Sequence, residues 1–319
     1  MRIVGRAGRE DLALVYLAAT GDGRYVEFVE SLQPPLARVE KWVLIISSLF
    51  GCPIRCRICD CGGDYKGRLT KEEILTQIDY LVTRRFPDRE VPVKKFKIQF
   101  ARVGEPSFND AVLDILDLLP DLYEAPGLIP CLSTIAPEGR ERFFDRLKGL
   151  KKRRYPDRFQ LQFSIHSTDE RIRDWLIPTR KWDFKRIASY GEGFYDKGGR
   201  KVTLNFALAD GIEIDPDLLL RFFDPDIFFI KITPVNPTVV AVKNHLRSDN
   251  RRLEETVEAV QTAGFEVLLS IGELEENRIG SNCGQYIRRY KLENRRIPAY
   301  NYDLEPFAEK MLRLDFPRC

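Results

Sequence analysis

Beyond residue 40 the chain repeats one alternation: a short apolar run, a turn, then a longer segment whose apolar residues recur at helical spacing. Residues 42–47 form the first apolar run. Residues 71–84 then carry Ile74, Ile78 and Leu81 on one helical face, behind Thr70, a side chain suited to capping a helix. The same reading predicts strands over 96–101, 128–134, 160–166, 202–209, 227–233 and 265–270. Helices are predicted between them, over 109–119, 137–147, 182–196, 216–223 and 253–263. Such βα units with short loops call for a parallel sheet covered by helices. Right-handed crossovers curl the series into an α/β fold of partial (β/α)6 barrel type; a doubly wound open sheet is the other arrangement the pattern allows. In both, sites gather at the carboxyl ends of the strands.

The first forty residues read differently. Two apolar runs, 12–16 and 25–29, flank Gly21-Asp22-Gly23, and Asp-Gly suits the positive φ of a tight turn. The expected organisation is a β-hairpin extension over 1–40, the barrel over 41–275, and an Arg- and Tyr-rich C-terminal segment over 276–319 that closes the site. The basic run Lys151–Arg154 reads as a solvated loop or helix end, with RNA contact as the alternative.

Composition narrows the class. With 319 residues, 44% apolar and 31% charged, the chain can bury a large core. A net charge of +3 is too small to argue for nucleic acid, though it leaves a local basic face open. No leader and no stretch near the ~18 apolar residues of a membrane span is seen, so the expected location is cytoplasmic, with no membrane partner. In a reducing compartment the seven cysteines are not a disulfide framework. Four of them, Cys52, Cys56, Cys59 and Cys61, crowd into ten residues, as metal-binding cysteines do.

Gly51-Cys52-Pro53-Ile54-Arg55-Cys56-Arg57-Ile58-Cys59 holds the spacing C-x3-C-x2-C. Three thiolates from one loop can hold a [4Fe–4S] cluster and leave its fourth iron open. An open iron can chelate the amino and carboxylate groups of S-adenosylmethionine and deliver the electron that cleaves it, while the protein excludes stray hydrogen donors. A structural zinc site with Cys61 as fourth ligand is the other reading, but no second cysteine pair follows.

Further short motifs run in order: Ser47-Ser48-Leu49-Phe50 before Gly51, Arg68-Leu69-Thr70-Lys71-Glu72-Glu73-Ile74, Gly104-Glu105-Pro106, Ser133-Thr134, Ser164-Ile165-His166, Asp210-Gly211, Pro234-Val235-Asn236-Pro237 and Cys283-Gly284-Gln285. In order and spacing the set resembles the RlmN/Cfr adenosine methyltransferases of the radical S-adenosylmethionine superfamily. The resemblance implies that Gly104 and Glu105 bind the methionine amino end of the cofactor. It also implies that Ser133, Ser164 and Asn236 contact its carboxylate, ribose or adenine. His166 either borders that pocket or is a structural histidine. By the same resemblance Cys283 carries a methyl group from one S-adenosylmethionine, and a second, cleaved one activates it for addition to an aromatic carbon.

Two departures stand out. The family's resolving cysteine, seven residues before the first cluster ligand, is Ile45 here, so either Cys61, Cys131 or Cys319 replaces it, or the chemistry ends differently and Cys283 serves as a radical relay, a covalent anchor or a methyl carrier of another kind. The RNA-modifying members usually carry an N-terminal helical domain, where this sequence offers about forty residues, and that lowers the expectation of a large RNA substrate. The reading is a methyltransferase acting at an unactivated carbon through Cys283, on RNA or a small molecule, with a reductant such as flavodoxin or ferredoxin. Direct hydrogen abstraction from a small molecule or peptide is the alternative. A non-catalytic iron–sulfur protein is a third reading, which a complete cofactor site argues against.

Overall fold

Each apolar run past residue 40 becomes a strand, and the helical segments pack behind them. The computed structural model describes residues 1–248, 250–272, 274–282, 286–291 and 305–306. Three antiparallel strands come first: β1 (Arg2–Arg9), β2 (Ala13–Ala19) and β3 (Tyr25–Ser31). Then follow β4 (Lys41–Ile46), α1 (Lys71–Arg85), β5 (Lys95–Phe100), α2 (Ala111–Leu122), β6 (Leu128–Thr134), α3 (Glu141–Arg154) and β7 (Gln160–Ser164). The chain continues through α4 (Glu170–Leu176), α5 (Phe184–Phe194), β8 (Val202–Leu208), α6 (Pro216–Phe222), β9 (Phe228–Pro234), α7 (Val239–Lys243), α8 (Asn250–Thr262) and β10 (Val267–Leu269). The short elements α9 (Leu274–Ile279), α10 (Tyr286–Lys291) and β11 (Glu305–Pro306) end it.

All the described strands join one sheet, in the order β10-β9-β8-β7-β6-β5-β4-β3-β2-β1-β11. From β4 to β10 every neighbour is parallel, and each crossover carries at least one helix. The sheet is unclosed but curled. Lys41 on β4 and Lys231 on β9 lie close enough for their charges to act on each other. In a flat sheet, strands five places apart would be about 24 Å apart. This is the partial barrel the alternation predicts, with β1–β3 as its antiparallel extension.

Strand alternation sorts the two faces. On β4, Trp42, Leu44 and Ile46 are buried beneath α1, while Lys41, Val43 and Ile45 face inward and are only half-buried. Helix α1 begins with a capping box: Thr70 Oγ1 accepts from Glu73 N at 3.1 Å, and the Glu73 carboxylate accepts from Thr70 N at 2.8 Å. The strand β1 goes beyond the predicted hairpin. Its buried positions include Gly5 and Ala7, too small to show as an apolar alternation. The basic run Lys151–Arg154 forms the last turn of α3, where positive charge complements the helix dipole. Lys151 pairs with Asp196, Arg153 with Asp117 at 3.1 Å, and Arg154 with Asp117 and Asp121, so most of the run serves helix packing. No helix among the described residues is long and apolar enough to cross a membrane.

The outer face of the extension is locked to α1 by a buried carboxylate. Glu30 on β3 takes Arg85 at 2.7 Å, Arg38 at 2.7 Å, the Tyr16 hydroxyl at 2.9 Å and the Trp42 indole N–H at 3.2 Å. Burial pushes its carboxyl up, but Arg85 and Arg38 together hold it below the ordinary glutamate value. The stability this provides is therefore complete above the unfolded value of about 4.3 and is lost as pH falls through the lower folded value. Glu30→Ala is expected to cost about 3 kcal/mol in urea unfolding at neutral pH, because it strands Arg38, leaves Arg85 only Glu10 and unpairs the Tyr16 and Trp42 donors. A loss below about 1 kcal/mol would reduce the network to an ordinary surface pair.

Candidate active site

The loop after β4 carries the three spaced cysteines across the carboxyl ends of the strands. Its path depends on Gly51, whose φ is +75° and where a Cβ would come within 2.6 Å of the Asp64 carbonyl oxygen. The far side of the loop is held by segments that follow two other strands. Asp60 accepts from the first amides of α7, Val240 N at 2.9 Å and Val239 N at 3.1 Å. Thr238 donates to the Ile58 carbonyl at 3.0 Å, and Asn244 to that of Arg57 at 3.1 Å. Arg57 N in turn reaches the Leu176 carbonyl at the end of α4 at 2.9 Å. Asp60, Thr238 and Asn244 carry no sequence motif. Their only signal is polar residues around a short helix start.

The three thiols form one electrostatic group. Burial, then the neighbouring Cys59, pushes the Cys52 thiol up to about 12; burial and the other two cysteines push Cys56 well above its usual value. Cys59 is held down by a hydrogen bond from Cys61. Backbone N–H groups of Ile54 and Glu105 point at Cys52. Three half-buried sulfurs that repel one another as thiolates, with amides aimed at one of them, suit a polynuclear cation that absorbs the charge. Among the described residues no group of three or more histidine, cysteine or carboxylate side chains is drawn together around a metal position.

Beside the cysteines, Gly104 has φ +104°, and a Cβ there would meet Leu49 at 2.5 Å. Glu105 is buried, its carboxylate accepting from Thr134 Oγ1 at 2.6 Å, Ile135 N at 3.0 Å and Ser107 N at 3.1 Å. Burial raises its carboxyl, and these donors oppose the rise. Ser133 ends β6 half-buried and accepts from Gln99 Nε2 at 3.4 Å. The side chains of Ser164, at the end of β7, and Asn236, just past β9, are half-buried and bond to none of the described residues. They are available to a ligand. His166, with φ +65°, is different: its Nδ1 accepts from Ala207 N at 2.9 Å, and burial lowers its pKa to about 4, so the ring is neutral.

Cys283, Gly284 and Gln285 lie outside the described residues, but both flanks of the segment are in view. Arg102, just after β5, donates to the carbonyls of Ser281 at 2.8 Å and Gly280 at 2.9 Å. It pairs with Glu27 of β3 at 2.9 Å, both side chains being essentially inaccessible. Glu27 also accepts from Ile287 N at 3.0 Å in the first turn of α10. Ile45 packs on the apolar cluster that includes Ile279 and Tyr286 from the same flanks. The Cys61 thiol donates to the Arg102 carbonyl at 3.3 Å. Cys131 sits lower in the barrel, its thiol near Gln160, and Cys319 lies outside the described residues. A cavity of about 410 Å3 beside the end of β8, lined by Asp210, Gly211, Ile214, Ser248 and Thr256, contains none of the cluster cysteines.

No protein-family model matches the chain. A probable dual-specificity RNA methyltransferase RlmN from Desulfitobacterium hafniense (strain Y51) is 27% identical over 292 residues, covering 88% of this chain and 77% of that protein. A probable RNA methyltransferase from Ectopseudomonas mendocina is 28% identical over 248 residues, covering 76% of this chain and 66% of that protein. Among solved structures, a radical SAM methyltransferase from Sphaerobacter thermophilus superposes with a TM-score of 0.68 at 21% identity, over 89% of this chain and 80% of the other, and shares the fold. That family implies a [4Fe–4S] cluster and S-adenosylmethionine. By these comparisons the chain is a distant relative of the RlmN/Cfr radical S-adenosylmethionine methyltransferases.

Proposed function

We propose that the chain methylates an unactivated carbon of its substrate, with Cys283 as the methyl carrier. Cys52, Cys56 and Cys59 would hold the cluster. Gly104 and Glu105 would take the amino end of S-adenosylmethionine, a carboxylate suiting an ammonium group. Ser133, Ser164 and Asn236 would contact the rest of the cofactor, and His166 would border it as a neutral, backbone-anchored ring. When bound, the cluster supplies the electron that cleaves the sulfonium of S-adenosylmethionine to a 5′-deoxyadenosyl radical. A reductant such as flavodoxin or ferredoxin would load it.

The observation that carries this reading is the Arg102–Glu27 pair. Arg102 stands between the cysteine loop, whose Cys61 thiol donates to its backbone carbonyl, and the segment that holds Cys283, whose Gly280 and Ser281 carbonyls accept from its guanidinium. Ile45 is apolar and cannot release a thioether adduct, so we assign release to Cys61, the thiol lying against that anchor. Its thiolate would attack the Cys283 sulfur, forming a Cys61–Cys283 disulfide as the S–C bond to the adduct breaks. The carbon would take the electron pair and a proton to become the methyl group, and the reductant would later restore both thiols. The relatives are named as RNA methyltransferases, and the substrate we propose is an aromatic base in RNA or in a smaller nucleotide.

Reconstituted, reduced protein given methyl-labelled S-adenosylmethionine is expected to carry label on Cys283 by peptide mass spectrometry, and to form both S-adenosylhomocysteine and 5′-deoxyadenosine. Formation of 5′-deoxyadenosine alone, with activity retained in Cys283→Ala, would sink methyl transfer through Cys283. Arg102→Lys keeps the charge but not the two-carbonyl fork. It is expected to lower labelling of Cys283 by about tenfold while leaving cluster absorbance near wild type. Unchanged labelling would remove Arg102 from the positioning role.

A further inference from the structure

The lower part of the barrel gathers positive charge that the reaction above does not use. Lys41 opens β4, Lys97 lies two residues before Gln99 on β5, Lys231 lies on β9, and Arg200 stands just before β8. Lys97 feels the charge of Arg200, Lys41 and Lys231, Lys41 feels that of Lys231, and all four act on Cys131. Lys41 donates to the Gln33 amide oxygen, and Gln160 Oε1 accepts from Lys97 Nζ at 2.7 Å and from Arg200 at 3.4 Å. That oxygen is neutral, so Lys97 has no carboxylate against it among the described residues. The carboxylate that acts on Lys41 is Glu276, whose Oε1 also takes the Ser31 hydroxyl at 2.9 Å.

Gathering these like charges costs electrostatic energy, which an anion would offset. Burial, and then the neighbouring cations, bring the Lys97 ammonium down to about 8. Like charges drawn together in a partly dry mouth oppose folding and suit an anionic ligand. The shape of the cluster selects the ligand. A carboxylate offers two oxygens in one plane and is matched by one arginine fork. Cations arriving from several strands suit a tetrahedral group with several acceptor oxygens and up to two charges. The level of the cluster matters too. Lys97 and Cys131 are two residues below Gln99 and Ser133, which bond to each other at the cofactor layer. At a rise of about 3.3 Å per residue, that is about 7 Å beneath it.

We propose that Lys41, Lys97, Lys231 and Arg200 bind a phosphate group of the substrate, holding a phosphorylated molecule in the barrel beneath S-adenosylmethionine. The proposal rests on reading the upper rim as the cofactor site. The phosphate belongs to a free nucleotide or to an RNA strand, and the test separates the two.

Inorganic pyrophosphate titrated calorimetrically into the full chain at low salt is expected to bind saturably, and more weakly as KCl is added. Lys97→Met and Lys231→Met are each expected to weaken binding by about tenfold, while Lys152→Met, an exposed change on α3, leaves it alone. Without anion, Lys97→Met should melt at or above the wild-type temperature, because one member of a repelling group is gone. A lysine needed only for the fold would give the opposite. Displacement of pyrophosphate by adenosine 5′-monophosphate, but not by adenosine, supports a free nucleotide; displacement only by a short RNA supports a strand. Absence of saturable binding to the wild type, wild-type binding by both lysine variants, or displacement by neither competitor overturns the proposal. Pyrophosphate binding without any 5′-deoxyadenosine formation would instead unseat the cofactor reading and leave the anion site standing.

Discussion

The architecture turns on one buried ion pair. Glu27 and Arg102 belong to parts of the chain with different jobs, the antiparallel extension and the end of a barrel strand. Their side chains meet where no water reaches. Burial raises the Glu27 carboxyl, with Arg102 and the amides of Tyr286 and Ile287 pulling the other way. Such a pair contributes little net stability against an apolar core, but losing either member is severe. What it secures here is placement. Arg102 also donates to the carbonyls of Gly280 and Ser281, and Glu27 uses its other oxygen on the start of α10. The segment carrying Cys283 is thus held at both ends by a pair rooted in the sheet.

β3 shows how economically this is encoded. Glu27 and Glu30 are three residues apart, so the pleat sends them to opposite faces. Glu30 fastens the outer face to α1, and Glu27 fastens the inner face to the C-terminal segment. The cysteine loop then lies between α4 and α7, tied through Arg57 and Asp60, over the carboxyl ends where Glu105, Ser133, Ser164 and Asn236 stand. The extension is therefore part of the site's support.

Much of this was legible in the amino-acid sequence, and the reasons for the rest are physical. The parallel strands are read from dense apolar runs because they are buried on the helix side and half-buried inside. Thr70 and Glu73 announce α1 through a local cap. β1 was silent because Gly5 and Ala7 fill its buried positions without an apolar signal. The cysteine loop is visible because its ligands are close in sequence. Glu27 and Arg102 are not, because their partners lie far along the chain and a buried glutamate looks like any other in a strand. The lysines of the lower barrel are hidden for the same reason: only the curl of the sheet brings β4, β5 and β9 to one place.

The central claim is that Cys52, Cys56 and Cys59 leave one iron of a four-iron cluster open to S-adenosylmethionine. Electron paramagnetic resonance of the reduced, reconstituted chain, recorded with and without the cofactor, tests it directly. The account predicts a [4Fe–4S]+ signal whose g values shift when S-adenosylmethionine is added, and which is absent from Cys56→Ala. A signal that S-adenosylmethionine leaves unchanged, or one that survives in Cys56→Ala, would contradict it.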